Sequence, residues 1–311
     1  MTMLNIPDNT LYIDNSSIEL ITICPFLAYA TLIRRRVPAA PQPALRFGRH
    51  IHSALEYRYK CMANSIPFDE NHQATELSAN FANDPCDEEG WRNADTARDL
   101  ISAYNTKYPN EDLRILKVNG EFIVEKSFTI FTGRIRGINI IYTGRIDLAY
   151  YDGPHVFVRD HKTSSVLGDT YWKDAAVSEQ QRGYCYALRE ALGVEPLGYE
   201  LNVLAARAPT KTGKSLELPP RFKTFTKEPT GQLDAWRDNM MNQLDVWIYL
   251  LERNGDDFTK WAASRHHKNC ITKYGPCRMY SVCELPDHKG QEFALMSSAF
   301  KVNDWNPLET K

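Results

Sequence analysis

Hydrophobic positions along the chain follow a helical period near both ends and an alternating one in between. SIELITICPFLAYATLIRRRV, residues 17–37, sets Leu20, Cys24 and Leu27 at helical spacing and predicts a helix with a kink or a new start at Pro25. VPAAPQPAL is proline-rich and aperiodic, a linker. FGRHIHSALEYRYKCMA follows as a stronger helix: Ile51, Leu55 and Tyr59 share a core face, while Gly48, His52 and Glu56 share another. His50 and His52 stand about 200° apart on that helix, so only one of them can face a given site. A lone helical histidine is more often a satisfied surface residue than a ligand. Residues 65–115 are polar and acidic, with fragments such as TARDLISAYNTKY. They read as a helical insertion in which Cys61 and Cys86 are plain thiols.

From residue 119 the period changes to two. Segments 120–131, 134–150 and 155–163 predict a three-strand meander. Its last two strands are joined at Tyr151-Asp152-Gly153-Pro154, and a turn centred on Asp152-Gly153 sets Asp147 opposite Val158. One strand face then carries Asp147, Asp160 and Lys162. The two acids become diagonal neighbours roughly 7–8 Å apart at Cα, close enough to share a cation. Two acids and a lysine on a half-buried hairpin are costly unless paired, and a hard divalent ion facing a phosphate would pair them. The plainer reading is a salt-bridged patch on a sheet edge.

Beyond the meander, a helix over 174–192 places Gln180 and Tyr184 on one face and ends at Gly193. A strand over 198–207 leads into the basic loop APTKTGKS. That loop is not a phosphate-binding loop, because Ala208 stands where glycine is needed and LELPPRFKTF cannot open a helix. It reads as a hairpin loop whose lysines either touch a nucleic-acid backbone or are simply solvated. The helix over 231–253 carries Leu233, Trp236, Met240, Leu244, Trp247 and Leu251 as a core stripe, and the tail from 256 reads as irregular.

Composition narrows the class. The 311 residues are 43% hydrophobic and 24% charged with a net charge of −2, enough for one large core or two modest ones. No apolar run is long enough to span a membrane, and MTMLNIPDNTLYIDNSS lacks the features of an export signal. A cytoplasmic protein is expected, in a bacterium or a virus-infected cell. At this net charge any nucleic-acid surface must be a local patch, and Arg34, Arg35 and Arg36 are either a solvated helix end or phosphate contacts. Of seven cysteines, Cys270, Cys277 and Cys283 cluster near the end, which favours a metal site in a reducing compartment over disulfides.

Taken in order, a helical histidine, GRID, Asp160-His161-Lys162 on the next strand and Gln180-x3-Tyr184 on the following helix resemble the PD-(D/E)XK nuclease superfamily, in particular its RecB-like, Cas4-like branch. The resemblance covers most of the chain and is weakest over 65–115 and 205–230. It implies an α/β, restriction-endonuclease-like core, a mixed central sheet flanked by helices, with a helical N-terminal region and a C-terminal cysteine segment. It divides the chain into N-terminal helices (1–64) carrying Cys24 and His52, an insertion (65–118), the nuclease core (119–255) and a cysteine segment (256–311) packing back on the N-terminus.

By this resemblance His52, Asp147, Asp160 and the backbone carbonyl of His161 bind Mg2+ or Mn2+. Lys162 orients water or neutralises phosphate, and Gln180 and Tyr184 position the strand or the water. Glu56 is a further ligand candidate. Cys24, Cys270, Cys277 and Cys283 would hold a [4Fe-4S] cluster. The first gap of the C-terminal trio is longer than the family's frequent C-x2-C-x5-C, so Zn2+ remains an alternative with His266 and His267 alongside. The implied activity is an exonuclease on single-stranded DNA or DNA ends, leaving 5′-phosphates, in recombination, repair or CRISPR/phage processing. Homo-oligomerisation or protein partners from those pathways would fit. The alternatives are a non-catalytic nucleic-acid-binding protein of the same fold and a Zn-stapled endonuclease.

Overall fold

The computed structural model describes residues 7–40, 42–86, 90–109, 111–165, 168–206, 222–227, 232–272 and 275–303. In chain order the elements are β1 (Thr10–Ile13), α1 (Asn15–Ile23), α2 (Pro25–Ala28), β2 (Arg36–Pro38), α3 (Pro43–Ala63), α4 (Glu70–Asn83) and α5 (Ala94–Lys107). The strands β3 (Arg114–Ile115), β4 (Lys117–Val118), β5 (Glu121–Phe122), β6 (Val124–Ile135), β7 (Ile138–Asp152) and β8 (His155–Ser164) follow. Next come α6 (Asp169–Ala176), α7 (Glu179–Leu192), β9 (Gly198–Ala205), β10 (Phe222–Lys227), α8 (Leu233–Asn254) and α9 (Phe258–Ala263). The chain ends in β11 (Ile271–Thr272), β12 (Gly275–Pro276), α10 (Tyr280–Cys283), α11 (His288–Met296) and β13 (Phe300–Val302). Among the described residues no helix is long and apolar enough to cross a membrane.

Two compact units divide the chain. The first consists of Met1–Pro41, Thr129–Gly144 and Asp234–Lys311, and the second of Gln42–Phe128 and Arg145–Leu233. In the second unit β7 and β8 pair antiparallel, β8 and β9 parallel, and β9 and β10 antiparallel, which makes the sheet mixed. Phe47, Ile51, Leu55 and Tyr59 of α3 pack with Leu77 and Phe81 of α4, with Leu100, Ile101 and Tyr104 of α5, and with Leu148, Tyr150 and Phe157 of the sheet. Ala175 of α6 packs with Leu201 and Val203. This mixed α/β arrangement, a central sheet flanked by helices, is what a restriction-endonuclease-like core requires.

The first unit is held by aromatic contacts. Tyr142 packs on Trp236, and Tyr29 stacks on Trp261 with centroids 4.5 Å apart. The stripe of α8 that includes Trp236, Met240, Leu244, Trp247 and Leu251 is buried, as core. β1 runs parallel to Asn139–Tyr142 of β7, and β2 pairs antiparallel with β13.

The new start expected at Pro25 is present: Cys24 is extended (φ −164), because Pro25 has no N–H to give and disfavours helix in the residue before it. Three details differ from the sequence expectation. The helix expected over 174–192 is two, with Ser178 extended between them (ψ 132), and α7 closes on Gly193 in the left-handed region (φ 67). The β7–β8 turn is Gly153-Pro154, since Asp152 pairs with His155. Gly153 takes the positive φ of 55 that the first position of such a two-residue turn needs. The tail expected to be irregular contains α9, α10, α11 and β13, elements too short to show a period. The loop over 208–215 lies outside the described residues.

Candidate active site and cysteine pocket

With Leu148 paired to Arg159, the next step along the hairpin brings Asp147 level with Asp160. Val158, which the sequence expectation set opposite Asp147, pairs instead with Ala149, and the two acids follow the last pair of the ladder in that shifted register. His161 N–H donates to Asp147 Oδ2 at 2.8 Å. Asp160 is almost wholly buried, and each of its oxygens has a donor: Lys162 Nζ at 2.9 Å on Oδ1 and Gln181 Nε2 at 2.7 Å on Oδ2.

His52 enters from α3. Its Nε2 donates to the His161 carbonyl at 2.8 Å, and its Nδ1 lies 3.4 Å from Glu125 Oε1 and 3.5 Å from Asp147 Oδ2. One ligand atom each from His52, Glu125 and Asp147 falls within 4.8 Å of the others. Glu125 sits in β6 with a left-handed backbone (φ 47), and Arg145 Nε holds its second oxygen at 2.8 Å.

The charges press on one another. Burial pushes the Asp147 carboxyl up; Asp160 and Glu125 push it further, and His52 and Lys162 only partly offset this. Burial pulls the His52 imidazole down, but Asp147 and Glu125 overcome it and raise its pKa. Lys162 is likewise held above its ordinary value, with Asp160 and Asp147 outweighing its burial. Three carboxylates face His52, Lys162 and Arg145, so with the imidazole neutral the acids keep an excess of negative charge that a further cation would relieve. The tautomer suits this as well: with Nε2–H committed to the His161 carbonyl, a neutral His52 turns the Nδ1 lone pair toward the acids. Oxygen donors with one imidazole fit Mg2+ or Mn2+.

The structure thus brings together His52, Asp147, Asp160, Lys162 and the His161 backbone. The His161 carbonyl, expected to face an ion, accepts from His52. Gln180 donates to the Tyr184 hydroxyl at 2.8 Å, and Tyr184 packs edge-on against Phe128. It is the neighbouring Gln181 that reaches Asp160. Glu56 pairs with Lys60 at 2.6 Å, and His50 is buried against the Asp84 carbonyl at 2.9 Å. Sequence reasoning missed Glu125 and Gln181. Nothing in the spacing links Glu125 to GRID, and the sign that marks it, a left-handed residue inside a strand, is a backbone property. Gln181 was one position from a residue already chosen, and the start of α7 decides between them.

In the first unit, Cys24, Cys270, Cys277 and Cys283 line one pocket together with Phe26, Leu27 and Met279. The break at Cys24 leaves its sulfur accepting the His266 N–H at 3.5 Å, and Met279 N–H reaches Cys277 Sγ at 3.5 Å. His266 Nδ1 lies 3.1 Å from the Ile23 carbonyl, and Asn269 donates to the same oxygen at 2.6 Å. Burial pushes the Cys283 thiol up to about 11, with Arg265 opposing and Cys24 and Cys270 adding to the rise. All seven cysteines are free. Four sulfurs around one pocket, two of them receiving N–H donors, are a donor set suited to a metal or metal–sulfur group.

No curated protein matches the chain. Solved structures that resemble it include the crystal structure of SSO0001, with 11% identity over 77% of each chain and a TM-score of 0.35, a likeness too distant to carry an argument. The PD-(D/E)XK nuclease superfamily matches residues 15–284, a span that holds the hairpin, α3, α7 and all four pocket cysteines. The chain belongs to the PD-(D/E)XK nuclease superfamily.

Proposed function

We propose that the protein is a metal-dependent deoxyribonuclease acting at DNA ends, with a preference for single strands, of the RecB-like, Cas4-like branch. The observation that carries this reading is the convergence of His52, Glu125 and Asp147 beside the Asp160–Lys162 pair. His52, Glu125, Asp147 and Asp160 would hold Mg2+ or Mn2+. Such an ion supplies Lewis acidity, which makes water a nucleophile near neutral pH and offsets charge on the phosphoryl oxygens. Lys162, anchored on Asp160, neutralises a non-bridging phosphate oxygen as charge builds there. Gln181 keeps Asp160 facing Lys162 rather than rotating away. Gln180 and Tyr184, bonded to each other, would contact the strand as a unit. A non-catalytic DNA-binding protein has less support, because such a protein has no need to keep three buried carboxylates against one lysine.

Four cysteines around one pocket, one from before the nuclease core and three from after it, support a [4Fe-4S] cluster, with Zn2+ as the alternative. The cluster would serve structure or DNA grip, away from the cleavage step.

The test is digestion of end-labelled single- and double-stranded DNA in Mn2+ by anaerobically purified protein, alongside Asp160→Ala. Release of labelled products by wild type and none by a folded variant supports the reading. A wild type that binds DNA but never cuts it would favour the binding protein. Full activity in the variant sinks the site assignment.

A further inference from the structure

Behind the acids, the His161 ring lies in a buried polar chain that the cleavage chemistry does not use. The ring stacks on Tyr59, with centroids 5.4 Å apart and planes 17° from parallel. Its Nδ1 lies 3.0 Å from Asn202 Nδ2, and the same amide donates to the Tyr104 hydroxyl at 2.9 Å. Tyr104 and Tyr59 hydroxyls are 2.8 Å apart, Tyr59 donates to Glu111 Oε2 at 3.0 Å, and Arg159 Nη1 braces both Tyr59 and Glu111.

Proton accounting gives this chain one direction. The Glu111 carboxylate only accepts, so the Tyr59 O–H points at it, the Tyr104 O–H points at Tyr59, and the two Asn202 N–H groups point at Tyr104 and His161 Nδ1. The imidazole is thereby clamped on its face and at one nitrogen. The two peptide groups flanking its Cα are the ones whose N–H holds Asp147 and whose carbonyl holds His52. Tyr104 comes from α5, so the insertion whose sequence carried no chemistry reaches the back of the site.

We propose that Asn202, Tyr59 and Tyr104 are positioning residues that, by clamping the His161 ring, hold Asp147 and His52 in the shape that takes a divalent cation. The proposal rests on reading His52, Glu125 and Asp147 as a metal centre.

The test compares full-length wild type with Asn202→Ala, Tyr104→Phe, His161→Ala and the Asn202→Ala/His161→Ala double variant. Mn2+ binding is measured by loss of the free-ion EPR signal without DNA. The Mn2+ needed for half-maximal cleavage, kcat at saturating Mn2+ and the melting temperature complete the set. The expected result is Mn2+ affinity about tenfold or more weaker in Asn202→Ala and Tyr104→Phe, with most of kcat regained at saturating Mn2+. The double variant is expected to be no worse than His161→Ala, because the two residues act through one ring. Unchanged Mn2+ affinity with a lowered melting temperature, or additive losses in the double variant, would overturn the proposal. Should Asn202→Ala not fold, Tyr104→Phe, which removes one hydroxyl, decides by the same criteria. A wild type that binds no Mn2+ refutes the metal-centre reading itself, and the proposal with it.

Discussion

Glu125 approaches His52 from a strand position with φ 47, a conformation that costs a non-glycine residue about 1–3 kcal/mol and persists where the surroundings impose it. Arg145 and His52 impose it here by holding both carboxylate oxygens. Glu125→Gln keeps the shape and removes the charge, so Mn2+ affinity is expected to fall about tenfold or more, as titration calorimetry would show. Lys162→Ala is expected to behave oppositely: Mn2+ binding changes little, while kcat at saturating metal drops by about 10²–10³. A Lys162→Ala enzyme with normal kcat would remove the lysine from the reaction. Asp147, Asp160 and Lys162 were legible in the sequence because the strand period decides which side chains share a face, and His52 only through the family resemblance, since no period ties a lone helical histidine to that face. Glu125 was not, because its place depends on a backbone torsion that no period encodes.

At the scale of elements, α3 and the β7–β8 hairpin were readable and the breaks between elements less so. The break before Pro25 was legible, because the proline marks it, whereas the helix to 192 hid one at Ser178. Local propensity was right on both sides of that second break, and the fold chose where to stop. The polar layer between α3, α5 and the sheet, which also holds Tyr150 bonded to Glu200, was invisible, since its members come from six places in the chain. Arg159 is buried there against Glu111 and Glu200, and Arg159→Met leaves those acids uncompensated. A loss of about 3–5 kcal/mol in urea unfolding is expected.

The tyrosines of this layer give a pH signature. Burial raises Tyr104 to about 12 and moves Tyr59 and Tyr150 upward as well. In the unfolded chain they ionise near pH ~10. Their folded values lie higher, so the stability they contribute is complete below that pH and drains away as pH rises toward the folded values. The melting temperature is expected to hold through neutral pH and fall in that alkaline window. A melting temperature that stayed level through the window would contradict the buried layer.

For the whole molecule, the fold class was legible through the family resemblance, while the interleaving of two units was marked at 41/42, inside the proline-rich linker, but not within the strands. Proline-rich or polar stretches did not coincide with the unit boundaries at 128/129 and 144/145, which fall inside the long strands β6 and near the middle of β7. The first unit is closed by contacts between its N-terminal and C-terminal segments, Cys24 facing Cys270, Cys277 and Cys283. Cys283→Ser is expected to abolish visible absorbance near ~400 nm in anaerobic protein and to lower the melting temperature, since a group bridging so long a loop contributes on the order of a few kcal/mol. A colourless wild type containing zinc would replace iron at the pocket.

Cys24 also sets a clock. It precedes Cys270 by 246 positions (270 − 24). A ribosome adding about 5–20 residues per second needs roughly 12–50 s to make the first of its partners. Throughout that interval the nascent chain carries the Cys24 thiol without the three cysteines that share its pocket. The yield of intact protein is then expected to rise with a reducing milieu during translation.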